Sequence, residues 1–210
     1  MEIEFFGANC FRIATKKAAL VVDDNLADLG AKSVTKTGDM ALFTTNHKPV
    51  ETEVRLLIDQ PGEYEVANIS VQGIPARAHM DEEKKQTATI YKVEAEDIRV
   101  AITGHIYPDI SDDDLEKLGT VDVLLIPVGG NGYTLDPIGA LKVIKKIEPK
   151  IVVPAHYADS KLKYEVPQQD LEAAIKELAM EPKERVTKLK LKAAELVNSE
   201  GTQLIVLEKA

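Results

Sequence analysis

Each of the four histidines in the sequence follows an apolar or β-rich segment, so each is expected at the end of a strand. They are His47, His79, His105 and His156. Side chains at strand ends can converge from distant parts of a chain, and imidazole nitrogens are ligands that zinc accepts. A zinc ion with one open position lowers the pKa of a bound water and supplies hydroxide near neutral pH. The pattern therefore points to metal-activated hydrolysis, provided that a metal binds.

The first half of the chain consists of short strand-like runs. They span residues 3–6, 11–14, 19–23, 40–44, 54–59, 63–66, 69–74, 87–93 and 98–103. Only short polar turns separate the first three runs, which predicts an antiparallel meander.

The second half alternates between strands and helices. Strands are predicted over 121–126, 151–153 and 202–207, and a helix over 168–180. Ser111 and Asp136 are N-cap residues for two further helices, the first ending at Gly119 and the second beginning with Pro137. A β-rich half and a βα half indicate two sheets packed face to face with helices outside. A chain of 210 residues with 44% hydrophobic content is expected to form a single domain over 1–210.

Composition excludes several classes of partner. The net charge of -9 opposes nucleic-acid binding, because neutralising phosphates needs a clustered excess of lysine and arginine. The basic stretch 183–192 is offset by neighbouring acids and is interpreted as a solvated face. The chain lacks the start of a secretory signal and any apolar run near the ~18 residues of a membrane span. We predict a cytoplasmic protein without membrane contacts, in which the single cysteine, Cys10, is a small core residue.

Several separate segments carry a resemblance to a known family. They are FFGANCFRI at 5–13, VVD at 21–23, QPGEYEV at 60–66, IPVGG with YT within 126–134, and IVVPAHY at 151–157. From residue 1 to about 208 the chain resembles the metallo-β-lactamase-fold superfamily, and within it the branch of small cytoplasmic proteins related to L-ascorbate-6-phosphate lactonase. The resemblance implies an α+β fold: an αββα sandwich of two mixed sheets with outer helices.

The resemblance also implies a metal site, which this sequence retains only in part. The family binds metal through a His-x-His-x-Asp-His loop, a later histidine, an aspartate in a Gly-Asp pair, and a final histidine. Here the loop is TNHKPV over 45–50, in which only His47 is kept. His79 and His156 match the later and the final histidine, whereas His105 replaces the aspartate of the Gly-Asp pair.

These departures remove the two-metal site. Pro49 and Val50 stand at ligand positions and cannot coordinate, and no bridging carboxylate remains. The family geometry groups three histidines around one position and leaves a fourth on the far side. The three are His47, His79 and His105, and the fourth is His156. The sequence leaves open whether one divalent ion, zinc or manganese, binds there. The alternative is that no metal binds and His105 pairs with a carboxylate or a backbone carbonyl.

The resemblance further implies a substrate-lining turn rich in glycine. Its residues predicted to bind substrate are Gly129, Gly130, Asn131 and Tyr133. Two functions follow from the whole pattern. In the first, a mononuclear hydrolase cleaves a small ester or lactone with metal-activated water. In the second, a catalytically inactive member binds a small molecule or a protein partner through the old cleft. Both leave room for a homo-oligomer.

Overall fold

The structure is a computed structural model that describes residues 1–197 and 201–210. The strands of the described residues are β1 (Glu2–Gly7), β2 (Cys10–Ala14), β3 (Ala19–Val22), β4 (Met40–Leu42), β5 (Leu56–Ile58), β6 (Gly62–Val66), β7 (Ile69–Ala76), β8 (Ala88–Ala95), β9 (Ile98–Ile102), β10 (Val123–Pro127), β11 (Ile151–Ala155), β12 (Pro182–Val186), β13 (Leu189–Lys190) and β14 (Gln203–Leu207). Their helices are α1 (Asp112–Leu118), α2 (Pro137–Ile147), α3 (Leu171–Leu178) and α4 (Ala193–Val197).

The described strands form two mixed sheets. One follows the order β13-β1-β2-β3-β4-β5 and the other the order β12-β14-β11-β10-β9-β8-β7-β6. In the first sheet β1, β2 and β3 form the predicted antiparallel meander, and β4 and β5 continue in parallel with β3. In the second, β6 to β9 are antiparallel, whereas β10, β11 and β14 run parallel to β9. The predicted sandwich of two mixed sheets is confirmed.

Strand β10 shows how the layers are stacked, because all five of its residues are buried. Val123 and Leu125 belong to the core between the two sheets. Leu124 and Ile126 point the other way and pack in a second cluster with residues of α1, α2 and α3. Alternation of side chains along a strand explains this division, and burial on both faces explains the continuous apolar run. The main helical layer therefore covers the outer face of the larger sheet.

The outer face of the smaller sheet is covered differently. Cys10 and Val21 pack there against Leu26 and Leu162, which lie in connecting loops. Cys10 is buried and free, as predicted. No helix among the described residues is long and apolar enough to cross a membrane.

The helix caps next to the site occur at the predicted residues. The Ser111 hydroxyl accepts a hydrogen bond from the backbone N–H of Asp114 at 3.1 Å, which begins α1. Asp136 accepts from the backbone N–H of Gly139 at 2.6 Å, with Pro137 in the first turn of α2. A capping side chain satisfies an N–H that has no partner within the helix. The cap of α2 also fixes the end of the glycine-rich turn before it.

The largest difference from the predicted elements lies in the basic stretch. Most charged side chains of residues 183–192 are exposed, as expected of a solvated face, but the stretch also contributes to β12 and β13, which are edge strands of the two sheets and were not predicted. Leu189 and Leu191 are buried within it. Edge strands are half exposed and tolerate lysine, so their apolar alternation is too weak to identify from sequence. The helix predicted over 168–180 is also shorter, because Asp170 caps α3 and its first helical residue is Leu171.

Candidate functional site at the strand ends

Strands from both sheets end around one cavity, and residues just after four of these strands share an uncommon backbone conformation. Ala8, Asp23 and His156 follow β1, β3 and β11 with φ angles of 49°, 44° and 51°. Gly104 lies two residues after β9 with a φ of 56°. A left-handed conformation in a residue other than glycine costs of order 1–3 kcal/mol, and such residues cluster at functional sites. The turns thus direct four chain segments toward the same end of the sandwich.

The cavity at this end has a volume of about 310 Å³. Three of the four histidines line it, namely His47, His105 and His156. The other predicted residue in its wall is Tyr133, and the amides of Asn9 and Gln168 complete the polar lining discussed below. His79 is outside the lining. The predicted cleft at the strand ends therefore contains most, but not all, of the predicted histidines.

His105 and His156 form the centre of the wall. Their rings meet edge to face with centroids 4.5 Å apart. The Asn9 amide nitrogen lies 3.1 Å from His105 Nε2. Because an amide nitrogen can only donate, Nε2 accepts and the ring proton is on Nδ1. His105 therefore pairs with an amide, rather than with the carboxylate or backbone carbonyl considered from the sequence.

His156 is fixed in a similar way by Gln168. Its Nδ1 lies 3.1 Å from Gln168 Oε1, while the Gln168 amide nitrogen donates to the carbonyl of Val166 at 2.8 Å. The second contact determines which end of the amide faces the ring. Nδ1 of His156 therefore carries the proton, and its lone pair is on Nε2.

His79 approaches from behind His105 and not from the cavity. Its backbone N–H donates to the carbonyl of His105 at 2.7 Å. The guanidinium of Arg77 lies 3.9 Å above the ring of Tyr107, whose backbone N–H donates to the Arg77 carbonyl. The Nδ1 atoms of His79 and His105 are both buried without a hydrogen-bond partner in the described structure.

His47 is turned toward protein partners. Its ring stacks on Phe43 with centroids 3.8 Å apart and an angle of 12°. Nδ1 lies 2.6 Å from the carbonyl oxygen of Lys48, and Nε2 lies 3.3 Å from a carboxylate oxygen of Asp59. Each ring nitrogen of His47 therefore already has a polar neighbour within the protein.

Burial sets the charges in the cavity wall. It lowers the pKa of His156 to about 4, although the contact with Gln168 opposes this shift. It also lowers the pKa of His105 well below its ordinary value, helped by neighbouring His156 and His79. Burial raises the pKa of Asp23 to about 6, against two hydrogen bonds from Thr44. At pH 7 the wall therefore presents two neutral imidazoles beside a mostly ionised carboxylate.

The predicted substrate turn contributes one side chain to the cavity. Tyr133 lines it, with its ring centroid 4.9 Å from that of His105. Asn131 instead donates to the carbonyl of Pro167. Gly129 supports the wall, because a Cβ at this position would collide with the carbonyl oxygen of His156 and the side-chain oxygen of Gln168. Gly130 N–H donates to the carbonyl of Leu135, and neither Gly130 nor Gly129 lines the cavity.

The donor atoms do not fit a metal centre. Within residues 1–197 and 201–210, no group of three or more His, Cys, Asp or Glu side chains is arranged to hold an ion. His47 has both nitrogens occupied, and the bare nitrogen of His105 accepts from Asn9. Assignment of the four histidines as metal ligands stays a prediction, as does substrate binding by the turn.

Sequence reasoning missed Asn9, Gln168 and Asp59, which hold three of the histidines. Asn9 lies in the first turn and Gln168 in the predicted third helix, where amides are common. A left-handed backbone at Ala8 and at His156 sets these turns apart. Gly7 marks the first turn in the sequence, whereas no glycine lies between residues 151 and 161 to mark the second. Residue types could therefore indicate the first turn, but they could not show which amide faces which histidine.

Known proteins similar to this chain include two curated relatives described as metal-dependent hydrolases. One, from Carboxydothermus hydrogenoformans, is 44% identical over 43 residues, which cover 20% of this chain and 19% of the relative. The other, from Thermococcus onnurineus, is 28% identical over 132 residues, 61% of this chain and 56% of the relative. The matched segments therefore span less than two thirds of either relative.

Solved structures match over nearly the whole chain. A candidate Zn-dependent hydrolase of the metallo-beta-lactamase superfamily from Thermotoga maritima superimposes with a TM-score of 0.78 at 24% identity, covering 99% of each chain. Igni18, a metallo hydrolase from Ignicoccus hospitalis, gives 0.63 at 15% identity and covers 100% of this chain and 95% of its own. At these identities the likeness concerns the fold.

The family assignment rests on a family model, described as a beta-lactamase superfamily domain, that matches residues 2–156. The match extends from β1 to His156 and includes three of the strand ends that surround the cavity and the Gly104 turn. The resemblance to the lactonase branch stays a prediction. The chain belongs to the metallo-β-lactamase superfamily.

Proposed function

We propose that this chain binds a small, neutral, polar molecule in the cavity and has lost the two-metal hydrolysis associated with its fold. The observation that carries the proposal is the hydrogen bonding of the histidines. His105 and His156 are held by amides, and His47 is held by Asp59 and a backbone carbonyl. These contacts orient the imidazoles as hydrogen-bonding groups in a fixed wall.

The charges around the cavity favour a neutral ligand. The lining contains the carboxylates of Asp23, Asp28 and Glu165 and the ammonium groups of Lys48 and Lys163. Lys48 forms an ion pair with Asp28. The remaining charges are mixed in sign, and the central imidazoles are neutral. An anion would meet no unpaired cluster of positive charge, whereas hydroxyl, carbonyl and amide groups find both donors and acceptors.

Calorimetric titration with two sugar derivatives tests this proposal. In the presence of a chelator, the neutral L-galactono-1,4-lactone is expected to bind saturably at one site, and glucose 6-phosphate is expected to bind more weakly. Tyr133→Ala and Gln168→Ala remove lining groups and should weaken lactone binding. Gln72→Ala, on β7 away from the cavity, is the matched control. Absence of lactone binding, or tighter binding of the phosphate, contradicts the proposal.

A second candidate function is hydrolysis of a small ester or lactone with one metal ion. The relatives described as metal-dependent hydrolases imply a divalent cofactor for their family. The observation in its favour is the buried Nδ1 atom of His79, which lacks a hydrogen-bond partner in the described structure. The same lactone titration separates the two functions. Turnover of the lactone that disappears with a chelator supports hydrolysis, whereas chelator-independent binding without turnover supports the binding function.

A further inference from the structure

Strand β6 is the last strand of the larger sheet, and only one of its two edges is paired. Along that edge it forms an antiparallel ladder with β7, in which Gly62 pairs with Gly73 and Val66 with Ile69. Beyond its other edge the described residues place no strand. A sheet edge of this kind presents unpaired backbone N–H and C=O groups, to which another chain can add a strand.

The turn at the end of β6 shows which backbone groups face the open edge. Ala67 and Asn68 form a two-residue turn with φ angles of 54° and 63°. In a hairpin of this type the residues that flank the turn are hydrogen-bonded to each other, and bonded pairs then alternate with unbonded pairs along the strand. The N–H and C=O groups of Glu63 and Glu65 therefore point away from β7. Among the described residues, none of these four groups has a hydrogen-bond partner.

The side chains at the same two positions carry negative charge that no neighbour neutralises. The carboxylates of Glu63 and Glu65 are exposed, and neither forms an ion pair or a hydrogen bond within residues 1–197 and 201–210. Both line a groove of about 380 Å³ on the outer face of β6, β7 and β8. Lys92 lies in the same groove, but its ammonium group donates to the carbonyl of Leu118 at 2.8 Å.

The opposite face of β6 is apolar. Tyr64 and Val66 pack against the core between the two sheets, and both remain partly exposed. The Tyr64 hydroxyl donates to the carbonyl of Gln60 at 2.9 Å, which fixes the strand. Because side chains alternate between the two faces of a strand, a strand added to this edge would have one face beside the carboxylates and the other beside apolar side chains.

We propose that the open edge of β6 binds an extended segment of a partner protein in which lysine or arginine alternates with apolar residues. Cross-strand neighbours lie about 4.5–5.5 Å apart, so basic side chains opposite Glu63 and Glu65 neutralise both carboxylates, and the residue between them faces Tyr64. A second copy of this strand fits poorly. Antiparallel pairing of two β6 strands about Tyr64 sets Glu63 opposite Glu65 of the other copy, and like charges in that position repel.

This surface is separate from the cavity, because no residue of β6 lines the cavity wall. Failure of the lactone to bind therefore leaves the edge proposal standing, and failure of a peptide to bind leaves the cavity proposal standing.

A five-residue peptide that alternates lysine with valine, acetylated and amidated at its ends, is the probe. Titrated into isotope-labelled wild type, it is expected to shift the amide resonances of Glu63 and Glu65 saturably and to slow their hydrogen exchange. N-methylation of its lysines should lower the affinity by about tenfold or more, because the lysine N–H groups of the added strand donate to β6. N-methylation of its valines, whose N–H groups face away, is the matched control and should change the affinity by no more than about twofold.

Two protein variants separate local charge from net charge. Glu63→Gln/Glu65→Gln removes both carboxylates from the edge, so the affinity for the lysine peptide should fall by roughly fivefold or more. Glu82→Gln/Glu83→Gln makes the same change in net charge in the loop between β7 and β8, and should bind the peptide as the wild type does.

Four outcomes overturn the proposal. They are absence of shifts at Glu63 and Glu65, equal binding of a peptide with glutamate in place of lysine, no loss on N-methylation of the lysines, and an equal loss in the two protein variants. The proposal is also overturned if the wild type without peptide dimerises and already shows slow exchange of these two amides, because a second copy then covers the edge.

Discussion

Replacing Gly104 with alanine is expected to lower the free energy of unfolding by about 3 kcal/mol or more. A Cβ at residue 104 would lie 2.5 Å from Cβ of Thr44 and nearer still to its hydroxyl oxygen. The left-handed φ of 56° adds conformational strain for any residue other than glycine. Thr44 cannot move away freely, because its N–H and hydroxyl both donate to buried Asp23. Urea denaturation followed by circular dichroism measures the loss.

Gly132→Ala is the matched control for this variant. Gly132 also has a left-handed φ, of 73°, but apart from its chain neighbours no atom of the described residues lies within 4 Å of a Cβ built there. Only the conformational penalty of roughly 1 kcal/mol is expected for it. If the two alanine variants lose equal stability, the close contact between a Cβ at residue 104 and Thr44 does not explain the need for glycine in this turn.

The second large effect is the dependence of stability on the protonation of His156. Its pKa is about 4 in the folded protein and near 6.5 in the unfolded chain, so the unfolded state binds more protons between these values. The group therefore stabilises the protein above about pH 6.5, and this contribution is lost as pH falls toward 4. Integration over this range gives about 3 kcal/mol, as an order of magnitude.

The variant His156→Asn removes the titrating imidazole and therefore isolates its contribution to the dependence of stability on pH. Asparagine tolerates the left-handed φ of 51° better than most residues and retains an amide to face Gln168. Asp23 titrates in the opposite direction, because its raised pKa means that the folded state gains stability as pH falls through 6. Asp23 is present in both proteins, so the difference between them reports His156. The stability of the wild type relative to the variant should fall by about 3 kcal/mol from pH 7 to pH 4; a constant difference contradicts the burial of a neutral imidazole.

The fold was largely predictable because the signals that specify it are local. Apolar alternation indicated β1 to β3, and continuous apolar runs indicated the doubly buried β10 and β11. Asp136 with Pro137 identified the start of α2 to the residue. Edge strands β12 and β13 were not predicted, because a half-exposed strand and a solvated loop can both carry the same lysine-rich sequence pattern.

The site was predictable only in location. Histidines at strand ends indicated the cavity, since strand ends meet regardless of which side chains they carry. What each imidazole does depends on partners far away in sequence. His105 meets Asn9 across 96 positions, and the contact between His47 and Asp59 spans 12. Such pairings arise from tertiary packing and cannot be read from the sequence. The number of histidines in the sequence therefore overestimates how many of them are free to coordinate a metal ion.

Metal binding by the wild type tests the central claim most directly. The untagged protein, purified without a chelator, is analysed for metal content and then titrated with zinc and with manganese. We predict a content well below one ion per chain and no saturable binding at one equivalent, because no three ligand side chains of the described residues converge. His105→Ala should leave this result unchanged. One tightly bound equivalent in the wild type, lost in His105→Ala, would contradict the account and establish a mononuclear metal site.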